Sequence, residues 1–163
     1  MEKMTIDSEN IFFDIWLNPI YWDRPPSARI FIDDTCVFED TITKDMHIRF
    51  KHCCDFEKQH TLTIERTGKT NNQTKFENNF IFDQILNINK IKIDNIDCKN
   101  LVEFTCEYKP NYPEPWASQQ LKNGNKLQQI LKGTRILGHN GVWTFKFRSP
   151  FYQYLINWIK GNI

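Results

Sequence analysis

The chain has 163 residues, 40% of them hydrophobic and 25% charged, with a net charge of +1. This length suits one domain around one core, the composition is neither disordered nor fibrous, and no apolar run approaches the ~20 residues that span a bilayer. A single domain over residues 1–163 is expected, with no membrane insertion.

Starting from the N-terminus, MEKMTIDSEN lacks the basic-then-apolar order of a secretion signal, so a reducing compartment, or release without a Sec route, is expected. Ile11, Phe13, Ile15 and Leu17 then share one parity, followed by Ile30 with Ile32. Met46, Ile48 and Phe50 alternate with His47, Arg49 and Lys51. Each run reads as a half-buried strand. The same rhythm places Leu62 and Ile64 on one face and Thr61, Thr63 and Glu65 on the other, and LVEFTCEY reads as a strand in which Val102, Phe104, Cys106 and Tyr108 oppose Glu103, Thr105 and Glu107. Between these last two, Leu86 and Ile88 are even but Ile91 and Ile93 odd, so a bulge or tight turn is expected at Asn89-Lys90. WDRPPS, IDDT and RTGKTNNQT are turn-rich connections.

Residues 109–141 break the alternation and form a long loop-rich segment: NYPEPW carries prolines that deny a central strand, and LKNGNKLQQILKG supplies at most a helical turn or an edge strand. Asn140-Gly141 suits a hairpin turn with positive backbone angles. After it Trp143, Phe145 and Phe147 point one way and Thr144, Lys146 and Arg148 the other. Ser149-Pro150 resembles an N-cap and first-turn proline, and Tyr152, Leu155, Ile156 and Ile159 recur at helical spacing. The fold expected is all-β: a two-sheet antiparallel sandwich, jelly-roll-like, with a short C-terminal helix closing one end or edge. A closed barrel is the competitor.

Reaction centres are hard to place. Serine occurs only at Ser8, Ser27, Ser118 and Ser149, without a G-x-S-x-G elbow, and GKT lacks the upstream glycine of a nucleotide loop. Cys36, Cys53, Cys54, Cys98 and Cys106 show no CxxC spacing and read as free thiols. His47 and His52 have opposite strand parity, which speaks against a shared metal. Asp33-Asp34, Glu39-Asp40 and Asp94 with Asp97 have the composition of a calcium site or a glycosidase pair, but acids in β turns commonly cap backbone amides.

Charge is unevenly distributed. The first 114 residues hold all 20 acidic groups against 14 basic ones, whereas Lys122, Lys126, Lys132, Arg135, Lys146, Arg148 and Lys160 follow with no acid among them. Such a segment faces either an anionic partner or the chain's own acidic part. Nucleic acid is not expected, since alternating aromatics and cations here fit an ordinary sheet face. Aromatics in loops are the remaining clue: Tyr21, Trp22, Tyr112 and Trp116 can stack on a sugar ring or a neighbouring subunit, and with His139, Lys146 and Arg148 they form the candidate contact set. His139 itself reads as a polar residue flanking a turn.

KQHTLTIERTGKT followed by FIFDQILNINKIKIDNID places His60, Leu62 and Ile64 in a His-x-Leu-x-Ile strand and Ile91, Ile93 and Asp94 in an I-x-I-D strand. With YKPNYPEPW and LGHNGVWTFKFRSPFYQYL, this resembles small β-sandwich virion-associated proteins of tailed phages of marine bacteria and, more distantly, calcium-dependent xylan-binding modules. The resemblance implies a non-enzymatic accessory or structural protein of the virion, a capsid decoration or tail-associated protein. Its partners would be other virion proteins or itself as a homo-oligomer on the particle, assembled in the host cytoplasm. The alternative is a carbohydrate-binding module for host-surface glycan, and the second alternative a glycosidase-like enzyme. Asn95 stands where the pattern has glycine and no complete calcium ligand set maps onto the chain, so no cofactor or metal is expected.

Overall fold

The structure is a computed structural model and describes residues 7–161. In chain order its elements are β1 (Ser8–Ile20), β2 (Ser27–Ile32), β3 (Thr35–Thr41), β4 (Met46–Asp55), β5 (Lys58–Thr67), β6 (Lys75–Glu77), β7 (Phe80–Phe82), β8 (Ile85–Ile93), β9 (Ile96–Asp97), α1 (Lys99–Thr105), β10 (Glu107–Pro110), α2 (Trp116–Lys122), β11 (Leu131–Lys132), β12 (Ile136–Leu137), β13 (Gly141–Ser149) and α3 (Phe151–Gly161). Among the described residues, no helix is long and apolar enough to cross a membrane.

Two large antiparallel sheets face each other. The first runs β12-β8-β1-β4, with β9 also on β8, and the second runs β11-β10-β13-β5-β2-β3. The two-residue period explains the pairing: Ile11, Phe13, Ile15 and Leu17 of β1 and Trp143, Phe145 and Phe147 of β13 are all at most 1% exposed. Their rings meet across the layers, with Phe13 and Phe147 centroids 5.8 Å apart. Truncating either ring to alanine would cost about 3–5 kcal/mol. A third, two-stranded sheet, β6-β7, stands apart as a hairpin.

Turn chemistry fixes the register. Asn78 with Asn79 and Asp94 with Asn95 both have positive φ, which these short polar side chains tolerate, and each pair closes a two-residue hairpin. The expected parity switch in β8 is a bulge: Trp16 pairs with Lys90 but Leu17 with Ile88, leaving Asn89 as the extra residue. The strand continues through it with no turn, so both Leu86 with Ile88 and Ile91 with Ile93 reach the core.

Three local expectations are corrected. LVEFTCEY does not form one strand, because Leu101 and Val102 are both buried, which adjacent strand residues on one half-buried face cannot be. Asp97 Oδ1 accepts the Lys99 N–H and opens α1 there, and Thr105 Oγ1 donates to the Leu101 carbonyl one turn earlier. Asn140-Gly141 is no hairpin turn: neither residue has positive φ, and Gly141 begins β13 between Pro110 and Arg66. Helix α3 presents Phe151, Tyr154, Leu155 and Trp158 to the core, leaving Tyr152 and Ile159 exposed. Its first turn is held by Glu9, whose Oε1 accepts from Ser149 Oγ and from the Phe151 N–H.

Candidate functional site

A cleft of about 550 Å³ opens beside the ends of β5, β7 and β13. One wall is the β6-β7 hairpin. Phe76 pairs with Ile81 and Lys75 with Phe82, so alternation sends Phe76 and Ile81 into the cleft and Phe82 to the hairpin's other face. The opposite wall is Pro113, Pro115 and Trp116 at the start of α2.

The floor is polar and densely bonded. Lys69 follows Gly68, whose φ of 91° turns the chain out of β5. Its ammonium donates to Asp83 Oδ1 at 2.7 Å and to the Gly138 carbonyl at 2.6 Å. Thr74 Oγ1 and the Gln84 N–H donate to that same Asp83 oxygen, so Oδ2 takes none of these three bonds. Burial alone would raise the Asp83 carboxyl, but the Lys69 charge and these donors outweigh it and hold it below its ordinary value. Asp83 is thus a fixed anion with one oxygen to offer.

Asn140 is the bracket under the floor. Its Oδ1 accepts from Arg66 Nη1 and from the Lys69 N–H, while Nδ2 donates to the Lys69 carbonyl. Arg66 is fully buried, donates Nη2 to the Gln84 carbonyl at 2.6 Å, and is pushed down to about 10 by burial. Gly141 must be glycine for the strand to lie here, since a Cβ would collide with the Lys109 carbonyl oxygen. Tyr108 completes the bracket, its hydroxyl donating to the His139 carbonyl.

Of the residues singled out in sequence, Tyr112, Trp116 and His139 converge. The His139 ring lies 5.0 Å from Trp116 and 5.1 Å from Tyr112, which are themselves 5.9 Å apart. Tyr112 is anchored by its hydroxyl to the Gln128 carbonyl at 2.6 Å. Burial first, then the nearby Lys69 and Arg66 charges, lowers His139, so the imidazole is neutral near pH 7. Its Nδ1 is buried without a hydrogen-bond partner among the described residues.

Tyr21, Trp22, Lys146 and Arg148 are not brought to the cleft. Trp22 packs on Phe82 behind the hairpin with Nε1 donating to the Gln73 carbonyl, and Tyr21 donates to the Thr43 carbonyl. Lys146 and Arg148 lie on the outward face of β13, where Arg148 donates to the Glu57 carbonyl. Sequence reasoning missed Lys69 and Asp83, which stand in turn-like segments, and misassigned Asn140. The loop aromatics were the legible part.

Among the described residues no group of three His, Cys, Asp or Glu could hold a metal ion. Three of the acids considered for calcium make contacts within the fold. Asp33 takes His60 and the Thr61 N–H, Asp94 takes the Phe12 N–H, and Asp97 takes the Lys99 N–H.

No family model matches the chain, and no curated protein is similar to it. Two solved structures are similar: the module vCBM60 in complex with galactobiose, and the selenomethionine form of vCBM60, described among calcium-dependent carbohydrate-binding modules. Each is 10% identical with a TM-score of 0.49; the matches cover 82% of this chain and 96% of the first, and 83% of this chain and 89% of the second.

Proposed function

We propose that the protein is a non-enzymatic carbohydrate-binding module that holds a neutral sugar in the cleft between the β6-β7 hairpin and Trp116. The observation that carries this reading is the pairing of an aromatic wall with the open carboxylate oxygen of Asp83. A pyranose ring has apolar C–H faces that pack on an aromatic plane and hydroxyls at its rim whose bonds to a carboxylate are strengthened by its charge. A volume of about 550 Å³ falls within the ~300–1,000 Å³ typical of small-ligand sites.

The absence of a second carboxylate supports binding over hydrolysis. Among the described residues lining the cleft Asp83 is the sole acid, and it is ion-paired, whereas a glycosidase needs an acid and a base or nucleophile flanking the bond. Affinity electrophoresis through gels carrying xylan, galactan or cellulose derivatives tests the reading. Retardation by one of them, lost in Trp116→Ala, is expected. Failure of all of them to slow the wild type contradicts it.

A second reading, an accessory protein held by protein–protein contacts on a phage particle, draws on one observation. Phe76, Phe80 and Ile81 leave apolar side chains exposed on both faces of the hairpin, at 76%, 68% and 67%, as a projecting element that docks onto a neighbouring subunit would. Mass spectrometry of purified particles tests that role.

A further inference from the structure

The outward face of the first sheet carries a charged array that the cleft does not use. Alternation puts Phe12, Asp14 and Trp16 of β1 on this face, and register fixes their neighbours. Lys51, Arg49 and His47 of β4 stand across from them on one side, and Lys92 and Lys90 of β8 stand across from Asp14 and Trp16 on the other. With strands spaced about 4.8 Å apart, the two cationic columns are separated by roughly 10 Å, with the aromatic column between them.

Two carboxylates share this face: Asp14, and Asp97 of β9 across from Lys92. Asp14 is 3% exposed, with His47 Nε2 at 2.7 Å and Arg49 Nε at 3.6 Å. Asp97 faces Lys92 and pairs with Lys90 at 3.8 Å, so against Arg49, Lys51, Lys90 and Lys92 the face carries two carboxylates. Lys51 and Lys92 form no ion pair among the described residues, and the side chains of Arg49, His47 and Lys90 are 56%, 45% and 42% exposed. Positive charge therefore exceeds negative across a flat, solvent-facing grid. It arises in the part of the chain that is acidic overall, so a residue count along the sequence hides it.

The aromatic rings stiffen this array instead of offering free planes. His47 stacks on Trp16 at 4.1 Å and 7°, while Lys90 and Lys92 place their ammonium groups 5.5 and 5.9 Å from the Trp16 centroid. Arg49 lies 5.6 Å from the Phe12 centroid. Cation–π contacts of this kind hold the charged heads in place.

We propose that this face binds an extended acidic polysaccharide lying along β1, its carboxylate or sulfate groups meeting Arg49 and Lys51 on one side and Lys90 and Lys92 on the other. Covered rings favour this ligand over single-stranded nucleic acid, whose bases need uncovered aromatic planes. They also disfavour a lipid surface, because Phe12 is the array's only large apolar side chain more than one-third exposed. The site is independent of the cleft.

The test is affinity electrophoresis through polygalacturonate or dextran sulfate, with neutral dextran as control, using the wild type, the triple variant K51A/K90A/K92A and Trp116→Ala. The expected result is retardation of the wild type by both acidic polymers, weakening as salt rises from about 50 to about 300 mM. Affinity should fall at least tenfold in the triple variant at unchanged melting temperature, with wild-type retardation kept in Trp116→Ala. Loss in Trp116→Ala but not in the triple variant would assign the binding to the cleft and overturn the proposal. So would absence of retardation, or tighter binding to oligo(dT) or phosphatidylglycerol vesicles than to polygalacturonate at equal salt.

Discussion

Lys69 Nζ lies 2.7 Å from Asp83 Oδ1 with the lysine side chain only 10% exposed, so a nearly buried cation fixes the carboxylate that faces the cleft. The pair ties the loop after β5 to the residue following β7, and the same lysine reaches Gly138 beside the aromatic cluster. Asp83→Asn is therefore expected to weaken sugar binding at least tenfold and to cost about 1–3 kcal/mol of stability. Calorimetric titration together with thermal melting checks both effects. Because the folded carboxyl lies below its ordinary value, its stabilisation is present above the unfolded pKa of about 3.9 and is lost as pH falls through the folded one.

A second ion pair has the opposite pH sense. His60 is 5% exposed; its Nε2 donates to the Asp55 carbonyl at 2.9 Å, and its Nδ1 lies 2.7 Å from Asp33 Oδ2. Burial pushes the imidazole down, but the Asp33 carboxylate and the Asp55 carbonyl outweigh it and raise the folded pKa. The contribution is complete below the unfolded value of about 6.5 and is lost as pH rises through the folded one. Melting temperature followed from pH 5 to pH 9 should show this loss in the wild type and not in His60→Asn. Identical profiles would contradict the assignment.

Much of the sandwich was legible because burial on one face of a pleated strand writes itself as alternation, as in β1, β5 and β13. The failures share a cause. In LVEFTCEY, Val102 with Phe104 mimics a strand, yet Leu101 and Val102 are the buried face of α1 and Phe104 is 77% exposed. Asn140-Gly141 has hairpin composition, but Gly141 is demanded by the nearby Lys109 backbone and Asn140 by Arg66 and Lys69, partners more than thirty residues away. Trp116, Tyr112 and His139 could be found as loop aromatics and a lone histidine. Lys69 and Asp83 could not, because nothing local distinguishes a floor residue from a surface turn.

Gly141 gives a sharp test of that close approach. A methyl group there would collide with the Lys109 carbonyl oxygen and stand 2.8 Å from Pro110 Cα, both backbone atoms that cannot rotate away. Gly141→Ala should destabilise the protein by about 2–4 kcal/mol in denaturant unfolding. Gly124→Ala serves as a control free of such a clash, since nothing lies within 4 Å of its Cβ position; only the backbone strain of its φ of 82° remains, about 1–2 kcal/mol.

The thiols divide by burial. Cys36 and Cys53 are exposed, whereas Cys54, Cys98 and Cys106 are buried, and burial pushes the Cys54 and Cys98 thiols up to about 12. A thiol-specific chromogenic reagent at pH 8 should label Cys36 and Cys53 quickly in the native protein and all five cysteines in denaturant. Rapid native labelling of Cys98 would contradict the packing around α1.

The most direct measurement of the cleft reading is a crystal structure with a bound neutral disaccharide such as xylobiose or galactobiose. A sugar ring against the Trp116 indole with a hydroxyl donating to Asp83 Oδ2 is the predicted result. A sugar seated on Tyr21 and Trp22, on the outer face of β13, or on the cationic sheet face with the cleft empty would contradict it.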